Sequence, residues 1–354
     1  MTPLDRAELR VRIDAALAAF LARQRARLAS IDDALLPIAD AIESFVLGGG
    51  KRLRPAFAYW GYRGAGGVDS DAVVATVAAL ELVQASALIH DDVMDSSDTR
   101  RGEPSVHRRF ALWHRDGAWY GDATGFGSAV AILLGDLALV WSDELLHTGG
   151  LDPATLARGR SVFDEMRTEV TAGQYLDVLS QATGDSSVAR AEKVARYKSA
   201  KYTVERPLLL GAALADAPQE TVAAYSAYGL PLGEAFQLRD DVLGVFGDPA
   251  ETGKPSGDDL REGKRTFLVA EALRTADDQD RAVLADRLGD SSLDEPGLDE
   301  LRDVIVRTGA LDRTERRIAE LTATALRAID SVPLDPEAAT VLADLTAAAT
   351  ARRG

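Results

Sequence analysis

Five Asp-Asp pairs punctuate the chain: Asp32-Asp33, Asp91-Asp92, Asp240-Asp241, Asp258-Asp259 and Asp277-Asp278. Two of them lie toward the C-terminal end of strongly apolar segments, where solvated charge has no obvious place. In Leu88-Ile89-His90-Asp91-Asp92-Val93-Met94-Asp95 the first and last aspartates are four apart and share one helix face. Like charges at that spacing destabilise a helix unless something cationic sits between them. Phe236-Gln237-Leu238-Arg239-Asp240-Asp241-Val242-Leu243-Gly244 repeats the setting later in the chain. Hard oxygen ligands without His or Cys suit Mg2+, which keeps several waters and binds through one or two carboxylates plus substrate phosphates.

Cations are distributed around these pairs. Gly48-Gly49-Gly50 must break the chain before Lys51-Arg52-Leu53-Arg54-Pro55, and Pro55 can then sit in the first turn of a helix. Lys51, Arg52 and Arg54 are thereby delivered near a helix N-terminus, which already favours an anion. Further sets are Thr99-Arg100-Arg101-Gly102, Tyr197-Lys198-Ser199-Ala200-Lys201, and Gly253-Lys254-Pro255 leading to Asp258-Asp259-Leu260-Arg261-Glu262-Gly263-Lys264-Arg265-Thr266. Two magnesium-type carboxylate clusters plus scattered Lys and Arg form the inventory needed to hold two polyphosphates.

The composition narrows the alternatives. The formal net charge of −16 argues against general affinity for nucleic acid or an anionic membrane. The absence of cysteine excludes disulfides, iron–sulfur clusters, thiol nucleophiles and thiolate zinc sites. The histidines, His90, His107, His114 and His147, form no HExxH pattern. Asp5, Arg6 and Glu8 stand where a signal peptide needs a positive start and an apolar core, so a cytoplasmic location is expected. The most apolar long run, Ala72 to Ile89, contains Glu81 and Gln84 and leads into Asp91, which reads as a buried helix and argues against stable membrane insertion.

Positioning these groups falls to helices. Ala, Leu, Glu and Arg dominate, and no useful stretch of Val/Ile/Thr alternation occurs. Helices are predicted at about Arg6–Ser30, Pro37–Leu47, Pro55–Tyr62, Asp71–Asp95, Ala129–Leu146, Asp152–Gln181, Arg190–Ala213, Glu220–Val245, Phe267–Ala285, Leu298–Thr308, Asp312–Val332 and Asp335–Arg352. The candidate linkers are short, so residues 1–354 read as a single all-α domain.

The ordered set GGGKRLRP (Gly48 to Pro55), DDVMD (Asp91 to Asp95), RRG (Arg100 to Gly102), KSA (from Lys198), FQLRDD (Phe236 to Asp241) and GK…GDDLREGKRT (Gly253 to Thr266) resembles the trans-isoprenyl diphosphate synthase, or polyprenyl synthetase, family. The resemblance runs from about Ala41 to Thr266. It implies an all-α helical bundle around a deep central cavity, with the two aspartate-rich motifs facing each other across its mouth. It further implies Mg2+ held by Asp91, Asp95 and Asp240, with Asp92, Asp241 and Asp259 in or beside that shell. Arg100, Lys198 and Lys254 would hold an allylic diphosphate, with Lys264 nearby. Lys51, Arg54 and Arg101 would hold isopentenyl diphosphate, and Gln237 and the backbone at Ser199 would face an allylic cation. The implied reaction is head-to-tail condensation by a homodimer, without a side-chain nucleophile or base.

Three departures stand out. Gln84 occupies a position where many relatives carry a histidine contacting isopentenyl diphosphate; Gly244 replaces the last aspartate of the second motif, with Asp248 as a substitute; and the segment 111–127 is longer than the usual connection, as a surface flap or an inert loop. The wall positions upstream of Asp91, Ala87, Ser86 and Val83, are all small, so the product should pass the farnesyl stage, and Trp141 could supply a floor that halts growth near geranylgeranyl. A farnesyl or longer-chain synthase is the alternative within this chemistry. A class I terpene cyclase would not need the GGGKRLRP cluster, and a non-catalytic synthase subunit would have no need to keep its carboxylates.

Overall fold

The computed structural model describes residues 8–247 and 257–350. Among them the chain is helical apart from one two-residue hairpin and the connections. The elements that position the chemistry are α1 (Leu9–Ala29), α2 (Leu36–Leu47), α3 (Leu53–Gly64), α4 (Asp71–Met94), β1 (Thr99–Arg100), β2 (Glu103–Pro104), α5 (Val106–Asp116), α6 (Ala123–Thr148), α7 (Pro153–Thr183), α8 (Val188–Val194), a π-helical segment (Ala195–Glu205), α9 (Arg206–Leu214) and α10 (Gln219–Phe246). Shorter helices and two long ones, Ala310–Ile329 and Pro336–Thr350, close the chain.

The centre is α4. Its N-terminus is capped by Ser70, whose side chain accepts from the Val73 amide. Its apolar residues from Val73 to Ile89 are buried between α1, α3 and α6. Stripping such a side chain to alanine costs about 2–5 kcal/mol, so the helix that ends in Asp91 to Asp95 is anchored along most of its length. α6 runs antiparallel to α4, with Gly135 against the His90 ring and Gly149 against Thr76. That register brings Trp141 level with Gln84, about two turns below Asp91. Trp141 itself is buried, its ring edge-on to Phe20 of α1 at 6.3 Å.

Several boundaries differ from the sequence reading. α6 begins at Ala123, six residues earlier than expected, because Asp122 caps it by accepting from the Thr124 and Gly125 amides. α5 was not anticipated; its short run around Arg108 and Arg109 hides a helix whose inner face is Val106, Phe110, Ala111 and His114. The segment 111–127 is therefore not a loop but the end of α5, a short turn and the start of α6, joined by the ring cluster of Trp113, His114, Trp119 and Phe126. The expected helix Phe267–Ala285 is two helices, Phe267–Thr275 and Asp278–Arg287, the second capped by Asp277.

Candidate active site

The first aspartate motif occupies the last turn of α4. Gln84, Ala87, Leu88 and Asp91 recur at helical spacing, and all four keep partial exposure on one face. Of the three expected wall positions, Ala87 belongs to this face, whereas Ser86 and Val83 are buried at 4% and 2% exposure. The reading of all three as cavity wall is thus corrected to Ala87, with Leu88 beside it. On α10, Gln237, Asp240 and Gly244 share a partly exposed face, with Asp241 buried beside them.

Two lysines lie between the motifs. Lys198 Nζ is 3.2 Å from Asp91 Oδ1 and 2.6 Å from Asp177 Oδ2. Lys264 Nζ is 3.7 Å from Asp95 Oδ2, 3.2 Å from Asp259 Oδ1 and 2.7 Å from Glu262 Oε2. The Lys264 ammonium therefore joins Asp95 of the first motif to Asp259, which follows the second motif in the chain.

The titration behaviour follows. Burial raises Asp91, but Lys198, Lys264 and Arg100 outweigh it and hold the carboxyl below the ordinary range. Asp95 is pushed up to about 6, first by burial and then by Asp91, and Asp241 is pushed up to about 7 by its complete burial, against a hydrogen bond donated by Gln237 Nε2 at 2.8 Å. Burial depresses both lysines, yet the surrounding carboxylates hold each above its ordinary value. Protein cations thus compensate Asp91, whereas burial prevails over them at Asp95 and Asp241. All the acidic donors are oxygens, and among the described residues no three His, Asp or Glu side chains are grouped so that they could hold a metal ion by themselves. This donor set fits a hard divalent cation completed by water and substrate phosphate, not a closed protein cage.

A π-helix places Lys198. Regular i→i+4 bonding gives way over Ala195–Glu205, within what the sequence reads as one helix, Arg190–Ala213. The segment is wedged between two glycines. A Cβ on Gly173 of α7 would strike the Lys198 backbone, and one on Gly233 of α10 would strike the Ala200 backbone. Ser199 lies between these contacts, half-buried.

Gly244 has a specific steric role. A Cβ there would collide with the Asp259 carboxylate, which occupies the space a side chain at that position would take. Asp248, the substitute expected from the sequence, and Lys254 lie outside the described residues.

Arg100 and Arg101 diverge. β1 and β2 pair through a two-residue turn, Arg101-Gly102, with φ of 56° and 80°. Arg100 Nε donates to Asp92 Oδ1 at 2.9 Å, and Nη2 lies 3.8 Å from Asp91 Oδ2. Asp92 is thereby fully buried against Arg100, unlike Asp91 and Asp95. Arg101 instead donates to the carbonyls of Gly49 at 3.1 Å and Phe45 at 3.3 Å, so it docks on the glycine loop that carries Lys51.

In that loop Gly49 and Gly50 take φ of 121° and 127°, and Pro55 sits in the first turn of α3, as the sequence suggests. Arg52 does not face outward with Lys51 and Arg54. It adopts φ 50°, is 3% exposed, and donates to Asp14 Oδ1 (2.8 Å), Glu81 Oε2 (2.7 Å) and the Val46 carbonyl (2.8 Å). A buried partner, Glu81, takes it inward. Arg54 donates to Thr203 Oγ1 at 2.8 Å, and Gln84 Oε1 accepts from the Tyr202 hydroxyl at 2.9 Å.

Sequence reasoning missed Gln174, which donates to Asp91 Oδ1 at 2.9 Å, and Asp177, the partner of Lys198. Both sit on α7 beside Gly173, three residues apart on one face, a spacing that could have flagged them.

The profile of the polyprenyl synthetase family matches residues 37–305. A geranylfarnesyl diphosphate synthase from Aeropyrum pernix is 34% identical over 273 residues, covering 76% of this chain and 79% of that protein. A geranylgeranyl diphosphate synthase from Saccharolobus solfataricus is 31% identical, covering 73% of each. The crystal structure of a geranylgeranyl pyrophosphate synthase from Corynebacterium glutamicum, complexed with isoprenyl diphosphate and magnesium, superposes with a TM-score of 0.93 at 42% identity, covering 96% of this chain and 98% of that one.

Proposed function

The chain belongs to the polyprenyl synthetase family and is a prenyltransferase, and from that premise we propose that it extends an allylic diphosphate with isopentenyl diphosphate to geranylgeranyl diphosphate, using Mg2+. The observation that carries this reading is the Lys264 ammonium held between Asp95 and Asp259, which sets two carboxylate groups facing one another where a diphosphate can lie.

Asp91, Asp95 and Asp240 are the residues that would hold the metal, with Asp241 and Asp259 beside them; Asp92 serves that shell indirectly by fixing Arg100. When bound, the metal neutralises charge on the departing diphosphate. Arg100, Lys198, Lys264 and Lys254 grip the same diphosphate as it leaves with the C–O electron pair. Gln237 spends an amide N–H on Asp241, which leaves its carbonyl oxygen, together with the Ser199 backbone carbonyl, to face the allylic cation. Lys51, Arg54, Arg101 and Gln84 hold isopentenyl diphosphate with its double bond toward that cation. The new C–C bond forms from those π electrons, and the proton then lost passes to an oxygen of the departed diphosphate, so no side-chain base is needed.

Ala87 on the exposed face of α4 leaves room for growth past farnesyl, and the level of Trp141 supports a floor near twenty carbons. The whole chain, 1–354, works as one domain in the cytoplasm. It pairs as a homodimer through α6, whose outward face shows Ile132, Leu133 and Val140 at 48%, 64% and 63% exposure. By length and composition α4 and α6 could each cross a membrane, but α4 is packed inside the protein and α6 carries the exposed Asp136 in its apolar face, which suits a second copy better than lipid.

The test is incubation with Mg2+, labelled isopentenyl diphosphate and, separately, dimethylallyl, geranyl and farnesyl diphosphate. A dominant twenty-carbon product is expected from all three. Longer products would remove the Trp141 floor, and no incorporation with any starter would overturn the assignment.

A further inference from the structure

Arg54 and Gln84 stand on different helices, α3 and α4, yet both rest on the same side chain. Tyr202, in the π-helical segment, is 3% exposed. Its hydroxyl donates to Gln84 Oε1 at 2.9 Å, and its ring lies under the Arg54 guanidinium with 4.3 Å from Cζ to the ring centroid. The next residue, Thr203, accepts from Arg54 Nη2 at 2.8 Å. Arg54 Nε is buried and has no hydrogen-bond partner among the described residues.

A primary amide has two ends, a carbonyl oxygen that only accepts and an NH2 that only donates. A diphosphate only accepts. Gln84 can help to bind one only when its NH2 is turned outward, and the opposite rotamer sets oxygen against oxygen. The Tyr202 hydroxyl could pair with either end, and here it donates to Oε1, the orientation that leaves the NH2 to donate elsewhere. The aromatic face beneath Arg54 attracts the guanidinium without offering a carboxylate, so its charge is held in place but not neutralised. We propose that Tyr202 is the positioning residue of the isopentenyl diphosphate subsite: its hydroxyl orients the Gln84 amide, and its ring seats Arg54. This rests on the reading that Arg54 and Gln84 hold that diphosphate.

The test is Tyr202→Phe, which keeps the ring and removes one oxygen, with KM for each substrate, kcat and thermal midpoint measured separately. KM for isopentenyl diphosphate should rise roughly five- to twenty-fold, with kcat, the allylic KM and the midpoint nearly unchanged. In a Gln84→Ala background the same change should add less than about twofold, because the group it orients is gone. If Gln84→Ala raises the isopentenyl KM but Tyr202→Phe does not, the positioning role is wrong while the subsite stands. An increase shared by both substrates, or full additivity with Gln84→Ala, also overturns it and makes Tyr202 merely structural. If neither Gln84→Ala nor Arg54→Ala moves the isopentenyl KM, the subsite reading fails and takes this inference with it.

Discussion

On the side of α4 and α10 the functional groups are carboxylates, crowded and buried enough that Asp95 and Asp241 are pushed up to about 6 and about 7. On the side of the glycine loop they are cations and an amide, resting on neutral partners: Arg101 on two backbone carbonyls, Arg54 on a ring and a hydroxyl, Gln84 on a phenol. Under the proposed function both regions would serve a diphosphate, and the two diphosphates would have different fates. The allylic one must leave with an electron pair, so its charge grows in the transition state and strong, metal-assisted neutralisation is placed there. The isopentenyl one only needs to be held, and direct Lys and Arg contacts suffice.

That contrast can be broken most sharply at Asp91. Asp91→Ala removes a metal donor, so kcat should fall by at least about a thousandfold, and because it also removes the partner of Lys198 and Gln174 the thermal midpoint should fall modestly. A circular dichroism melt beside a turnover assay checks both, and an unchanged rate would remove the metal assignment. Next in size is Arg54→Ala, whose effect should fall on one substrate: a roughly ten- to hundredfold rise in the isopentenyl KM with the allylic KM within about twofold, since a charge-assisted contact carries about 1.5–3 kcal/mol. Gly244→Ala sharpens the acidic side. Its new methyl displaces the Asp259 carboxylate, and Mg2+ affinity, read by titration calorimetry with an allylic diphosphate analogue, should weaken by roughly tenfold. Ala87→Phe should leave the rate of the first condensation nearly intact and shorten the product, as chromatography of the hydrolysed alcohols will show; an unshortened product would mean the wall lies elsewhere. A thermal readout complements these: Mg2+ plus a diphosphate at about a hundred times the dissociation constant should raise wild-type stability by about 2.7 kcal/mol by mass action. Asp91→Ala should lose most of that rise.

The acidic side was the more legible in the sequence. Asp91, Asp240 and Asp241 sit in regular helices and Asp95 caps the end of α4, so helical periodicity alone puts Asp91 and Asp95 on a common face. The cationic side was legible in its residue types but not in their directions. Arg52 lies between Lys51 and Arg54 with the same charge, and only Glu81, from a distant stretch of chain, turns it inward. Arg100 and Arg101 are adjacent yet part company because the hairpin turn sets Arg101 at positive φ. The π-helix at Lys198 was illegible for a similar reason, since Gly173 and Gly233 that make room for it belong to other helices. Local pattern fixes what a helix presents, whereas the loop and the π segment are decided by partners far away in the sequence.

In the proposed function, metal serves the allylic diphosphate and protein cations alone serve the isopentenyl diphosphate. The direct measurement is calorimetric binding of isopentenyl diphosphate, and of a non-reactive allylic diphosphate analogue, each with Mg2+ and with EDTA. The account predicts that chelation weakens the allylic analogue by at least about tenfold and leaves isopentenyl diphosphate within about twofold. Equal losses for both ligands, or none for the allylic one, would contradict it.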